Sequence, residues 1–194
     1  MSSQHAPAVH SVHFYDEPAA LINRLRGIVA TGLEAGNSVV IVATATHCKQ
    51  LKKALNSSGV NVSGFEKGGQ YIACDAGEML ETFMVDGRPD RSRFLTSLGS
   101  LLSAAKQAAQ DSGQGLTVFG EMVAVLWEEG NKTGALELEG YWNDLLNDRA
   151  FHLHCAYPRW NFADADGEGL AAICGAHSHV IGESSPTRRG MVVN

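Results

Sequence analysis

The stretch Ser38-Val39-Val40-Ile41-Val42-Ala43 is apolar on both faces, and that property restricts the fold more than any other segment of the chain. A strand points successive side chains to opposite sides, so a run that is apolar at odd and even positions alike must be covered above and below. A central strand of a parallel sheet, flanked by helices on each face, provides that cover. The surrounding pattern agrees, because short apolar runs alternate with longer amphipathic ones along most of the sequence.

Val9 to Tyr15 reads as the first strand. A helix then starts at about Pro18, with Leu21, Leu25, Ile28 and Gly32 on one stripe and Ile22, Val29 and Leu33 beside it. Pro18 suits a first helical turn and Gly36 a C-terminal stop. A second helix carries Cys48, Leu51 and Leu55 and breaks at Gly59. Gln70 to Cys74 is a strand, Glu78 to Met84 a short helix, and Asp86-Gly87-Arg88-Pro89 a turn. From Asp90 a long helix sets Phe94, Leu98, Leu101, Ala105 and Ala108 on one face and stops at Gly113 and Gly115. Leu116 to Phe119 is the next strand. Two helices follow, Glu121 to Glu129 and Thr133 to Asn147, hinged at Gly130-Asn131. In the strand Phe151 to Tyr157, Phe151, Leu153, Cys155 and Tyr157 share one face while His152 and His154 take the other. A closing helix covers about Gly167 to His177.

A chain of 194 residues supports one domain with a real core. We expect that domain over 8–182, between flexible tails at 1–7 and 183–194. The net charge of -6 opposes binding to nucleic acid or anionic membrane, and no basic cluster appears before Arg188 and Arg189. No secretory signal and no long apolar span is visible, and Cys48, Cys74, Cys155 and Cys174 form no Cys-x-x-Cys pair. A cytoplasmic protein with reduced, buried thiols is the expectation.

Several blocks resemble the MEDS domain, the methanogen/methylotroph sensory domain. They are His10-Ser11-Val12-His13-Phe14-Tyr15, Gly32-Leu33-Glu34-Ala35-Gly36 and the run Phe119-Gly120-Glu121-Met122 that leads to Trp127. Leu138-Glu139 with Trp142-Asn143, Cys155-Ala156-Tyr157-Pro158, and Ile173-Cys174 with His177-Ser178 extend the match. The resemblance spans His10 to Ile181. It implies a three-layer α/β fold of the RecA/KaiC type with a mostly parallel central sheet and a decayed nucleotide site. It also implies the sensing of hydrocarbon derivatives. Such domains are often joined to DNA-binding or kinase output modules, and no output module is recognisable here.

The chemistry of individual residues bears this out in part. A working phosphate loop needs Gly-x-x-x-x-Gly-Lys-Ser/Thr, whose amides cradle phosphates while the lysine neutralises them. The corresponding junction is Phe14-Tyr15-Asp16-Glu17-Pro18, which lacks the lysine, loses a donor at proline and repels phosphate. No Gly-x-Ser-x-Gly elbow or His-Glu-x-x-His motif occurs, so no catalytic residue is assigned.

Glu121 follows a strand at the carboxyl edge, where α/β sheets collect ligands. It either aims a carboxylate at a ligand or is a first-turn residue favoured by the helix dipole, and the family block favours the ligand. His13 and Tyr15 share a strand face and, beside Glu121, would make a polar corner in an apolar cleft; the alternative is two solvated strand-end residues. Glu139, Trp142 and Asn143 cluster on one helix flank, with Trp142 and Trp127 more at home in the core than in a pocket. We therefore take His13, Tyr15, Glu121, Glu139, Trp142 and Asn143 as candidate ligand-binding residues. His152, His154, Cys174 and His177 are of zinc-ligating types but lack a close-spaced signature, so neither metal nor cofactor is expected. The function expected is a non-enzymatic sensor that binds a small, largely apolar molecule and signals to a regulatory protein partner. The alternative is a protein-interaction module with a vestigial nucleotide site.

Overall fold

A computed structural model describes residues 8–109, 115–162 and 167–181. The tails at 1–7 and 183–194, and Gly113, lie outside the described residues. The elements run β1 (Val9–Tyr15), α1 (Pro18–Glu34), β2 (Ser38–Ala43), α2 (Ala45–Ser57), α3 (Val62–Lys67), β3 (Tyr71–Asp75) and α4 (Ala76–Glu81). A small hairpin follows, β4 (Met84–Val85) with β5 (Arg88–Pro89), then α5 (Arg91–Ala108) and β6 (Leu116–Gly120). The remainder is α6 (Met122–Glu128), α7 (Lys132–Asp148), β7 (His152–Pro158), a 3-10 turn (Arg159–Phe162), α8 (Gly167–Ala176) and β8 (His179–Ile181).

The main sheet has six strands in the order β3-β2-β6-β7-β1-β8, and every pairing within it is parallel. All of β2 is buried, as its two-sided apolar sequence requires. Odd and even positions feed two separate cores. Tyr15, Val39, Ile41, Phe119 and Ala156 pack with α1 and α2 on one face. Val12, Phe14, Val40, Val42, Leu153 and Tyr157 pack with α5, α6 and α7 on the other. The result is a three-layer α/β domain.

Helix boundaries follow the local chemistry. Thr44, Asn61, Asp75, Asp90 and Asn131 each accept a hydrogen bond from an amide in the first turn of their helix. Gly36 at φ 80° and Gly130 at φ 83° take the left-handed conformation that ends α1 and α6. The Gly130-Asn131 hinge therefore couples a stop signal to the cap of α7.

Three details differ from the sequence pattern. The short helix expected over Glu78 to Met84 runs Ala76–Glu81, and Met84 opens β4 instead. In α5 the buried stripe is Phe94, Leu98, Gly99, Leu102 and Ala105. At 3.6 residues per turn both leucines flank the stripe, and Leu102 is fully buried where Leu101 and Ala108 are only partly so. Sequence patterning also passes over α3 and β8, which span only Val62–Lys67 and His179–Ile181 and are too short for a periodic signal.

Candidate functional site

Two buried polar clusters occupy opposite faces of the sheet. The first stands at the carboxyl ends of β1, β2 and β6, on the α1–α2 face. Glu121 is 3% exposed and accepts hydrogen bonds from the Thr44 amide at 3.0 Å and from Nδ1 of His47 at 2.7 Å. That bond to Glu121 raises the His47 pKa above its usual 6.5, against the opposing effect of burial. Tyr15 and His13 are buried in the same layer, with the Tyr15 ring 6.5 Å from His47 and 6.3 Å from His13. Burial first, then the charges of Glu121 and Glu128, push the Tyr15 hydroxyl up. Tyr15 and Glu121 are thus linked through His47, and His13 lies beside Tyr15 on the same strand face. His47, which makes that link, is a residue that sequence reasoning missed; its position in the first turn after the Thr44 cap was the available signal.

The second cluster lies under α7. Glu139, fully buried, accepts a hydrogen bond from the Tyr157 hydroxyl at 2.8 Å and stands 3.4 Å from Nε2 of His10 and 3.6 Å from Nε2 of His177. Cys155 Sγ approaches Glu139 at 3.9 Å and His10 Nε2 at 3.4 Å. Asn143 faces His10 Nδ1 at 2.9 Å and donates to the Ala176 carbonyl at 2.9 Å. Glu139 and Asn143 therefore belong together, but not with His13, Tyr15 and Glu121. Trp142 joins neither group. It is buried in the core, edge-on to Phe94 at 5.2 Å and near Phe151 at 6.4 Å, as the core alternative for this residue describes. A large aromatic facing a helix layer finds more contact area there than at an edge.

The four residues weighed for zinc do not assemble. His154 faces the α1 layer, with Nδ1 2.6 Å from Ser11 Oγ, and burial lowers its pKa to about 4. His177 lies on the opposite side against Glu139.

An open cleft of about 390 Å³ sits at the carboxyl edge beside the ends of β1 and β7, lined by Phe14, Asp16, Arg159, Trp160, Phe162 and Leu170. Arg159 ties its rim together, with Nε 3.2 Å from Asp16 and Nη2 donating to the Phe14 carbonyl at 3.3 Å. The Trp160 ring meets Tyr15 edge-on at 5.8 Å, so this cleft borders the first cluster. Phe14 and Phe162 pack on Tyr157 at 6.2 and 5.8 Å, so it also borders the second.

A family model for MEDS, the methanogen/methylotroph, DcmR sensory domain, matches residues 9–178. The chain belongs to the MEDS family. It is accordingly a sensory domain. Its fold is similar to that of an uncharacterized protein from Pyrococcus horikoshii, crystallised in complex with an unknown peptide, at TM-score 0.69 and 12% identity over 97% of this chain and 82% of that one. A comparison with curated proteins gives no significant match. Among the described residues, no helix of this MEDS domain is long and apolar enough to cross a membrane.

At the β1–α1 junction of this MEDS domain, Asp16, Glu17 and Pro18 are exposed, Glu17 makes no side-chain cap, and Pro18 opens the helix. Two carboxylates thus stand where the amides of a phosphate-binding helix would point.

Proposed function

We propose that this chain is a non-enzymatic, cytoplasmic sensor that takes a small, largely apolar hydrocarbon derivative into the carboxyl-edge cleft and passes its occupancy to a regulatory partner. The cleft carries the reading. Its volume of about 390 Å³ is at the small end of ligand sites, its walls include Phe14, Trp160, Phe162 and Leu170, and Asp16 with Arg159 offers the few polar groups that orient a hydroxyl or amine. Its place at the carboxyl ends of parallel strands is where open α/β sheets bind ligands. In this reading His13, Tyr15 and Glu121 support the Trp160 wall from behind rather than touching the ligand first. The acidic β1–α1 junction supports a nucleotide site that has decayed.

The test is a panel of short-chain alcohols, amines and halides, followed by melting temperature and tryptophan emission. Trp127 and Trp142 are buried while Trp160 is 49% exposed, so a saturable emission change that disappears in Trp160→Phe reports occupancy of this cleft. Mass action then raises the melting temperature as the ligand fills the folded state. No saturable response across the panel would remove the proposal.

A second reading, a module that docks a partner segment, is favoured by the groove of about 400 Å³ between α1 and α2, floored by Ile22 and Ala54. The peptide in the Pyrococcus protein is consistent with it.

A further inference from the structure

His10, Glu139, Cys155 and His177 are all buried, and one ligand atom from each lies within 4.8 Å of the others. They come from four elements: β1, α7, β7 and the residue after α8. The orientation of both imidazoles is fixed from outside the cluster. Asn143 uses its amide N–H on the Ala176 carbonyl, so its oxygen faces Nδ1 of His10, and that nitrogen carries the proton. Nδ1 of His177 stands 2.7 Å from the Ile173 carbonyl, which can only accept, so this Nδ1 is also N–H. Both Nε2 lone pairs therefore turn inward, onto a carboxylate that is itself acceptor-only. His177 Nε2 is buried without a hydrogen-bond partner. A histidine whose outer nitrogen is held by a carbonyl while its inner nitrogen presents a lone pair is the arrangement metal-ligating histidines adopt.

The spacing is close to that of a filled site. Around a tetrahedral zinc, bond lengths of about 2.0–2.3 Å place neighbouring ligand atoms roughly 3.3–3.6 Å apart. The observed separations are 3.4 Å for His10 Nε2 to Cys155 Sγ, 3.4 Å for His10 Nε2 to Glu139 Oε2, 3.9 Å for Cys155 Sγ to Glu139 Oε2 and 3.6 Å for His177 Nε2 to the other carboxylate oxygen, Oε1. The set as a whole lies within 4.8 Å, so the side chains would draw in by up to about 1 Å around a tetrahedral ion. Tyr157 donates to the carboxylate from outside, as an outer hydrogen bond to a ligating carboxylate does.

We propose that His10 Nε2, Glu139, Cys155 Sγ and His177 Nε2 form a tetrahedral site for a divalent ion of the zinc class. One thiolate and two imidazoles select zinc or its neighbours over magnesium and calcium. Four protein ligands leave no open position, so the ion is structural. It fastens α8 and β8 to the rest of the domain. Ile173 is the one buried residue of α8, so His177 and the ion hold that flap down, and with it Leu170 on the wall of the cleft. Binding replaces the Cys155 thiol proton, because the thiolate and not the thiol is the metal ligand. About one proton is then released for each ion taken up.

The experiment uses the full chain, stripped of metal and titrated with cobalt(II) and then zinc(II). Wild type is expected to bind one cobalt per chain with the strong visible bands of a tetrahedral ion and a thiolate charge-transfer band, both erased by one equivalent of zinc, with about one proton released. Cys155→Ser should lose the charge-transfer band, and His177→Gln should weaken cobalt binding at least tenfold. His177→Gln lies at the periphery and keeps the test decisive if Cys155→Ser does not fold. Wild-type protein that is folded by circular dichroism yet takes up no cobalt, or binds it without the thiolate band, overturns the proposal. So does binding that His177→Gln leaves unchanged.

Discussion

Nδ1 of His47 lies 2.7 Å from Oε1 of Glu121, and this contact links the first turn of α2 to the end of β6. The other carboxylate oxygen accepts the Thr44 amide at 3.0 Å, so one side chain bridges the carboxyl ends of two adjacent strands. A buried carboxylate is tolerated there because both oxygens are satisfied and one partner is able to carry charge.

That pair sets a pH dependence of definite sign. The His47 pKa is raised in the folded state, so folding binds a proton that the unfolded chain releases above about pH 6.5. The stabilisation is complete below that value and is lost as pH rises through the folded one. The urea midpoint difference between wild type and His47→Gln should therefore shrink from about pH 6 to pH 8. A difference that is flat across that range would show the pair to be uncharged.

His154 acts in the opposite direction. Its pKa falls to about 4, chiefly from burial, with repulsion from nearby cationic groups, Arg24 among them, adding to it. The unfolded chain binds the proton more readily between the two values, so this contribution is present above about pH 6.5 and disappears toward pH 4, on the order of 3 kcal/mol in all. His154→Asn should flatten the acid limb of the stability curve. Unchanged acid unfolding in that variant would place the loss elsewhere.

Strands and long helices were legible because each announces its period. β1 and β2 match the expected bounds, and the Gly130-Asn131 hinge falls where a left-handed glycine meets a cap. The site was legible by pieces. His13 and Tyr15 share a strand face with Tyr15 near the His47–Glu121 pair, and Glu139 and Asn143 lie on one helix flank as their spacing implies. What the sequence could not convey is which face of the sheet α7 covers. That fact separates Glu139 from Glu121 and sets His10, on the same face as Val12 and Phe14, against Cys155 of β7. Trp160 went unweighed because it follows β7 in a 3-10 turn with no periodicity to mark it.

The α5 interface gives a direct check on the repacked stripe. Leu102 is 1% exposed, so Leu102→Ala should cost about 2–5 kcal/mol in chemical denaturation, as large-to-small core substitutions do. Leu101 is only partly buried against the same core, so Leu101→Ala should cost distinctly less. Equal losses would return both leucines to one stripe.

Nucleotides should bind no tighter than millimolar, roughly −4 kcal/mol, because Asp16 and Glu17 oppose phosphate at the start of α1. Calorimetry with magnesium-ATP is the measurement. Micromolar binding would restore a working nucleotide site and make the sensor proposal a poor account of the edge.

The cleft itself separates two placements of the ligand. If it sits among Phe14, Trp160, Phe162 and Leu170, Trp160→Ala removes apolar wall. At about 25 cal/mol per Å², losing some 40 Å² of contact costs about 1 kcal/mol, or roughly fivefold in affinity. Alcohols, amines and halides should all suffer alike, because what is lost is area. Tyr15→Phe should then change little, since the Tyr15 ring stands behind Trp160 and beside His47 rather than on the wall. If the ligand instead reaches the polar corner itself, Tyr15→Phe and Glu121→Gln remove hydrogen-bond partners while leaving the shape intact. Ligands with a hydroxyl or amine would then weaken selectively, and halides would not. Parallel thermal-shift titrations of the three variants with one alcohol and the halide of equal chain length distinguish these patterns. Uniform weakening in Trp160→Ala alone is the outcome that the observed cleft requires.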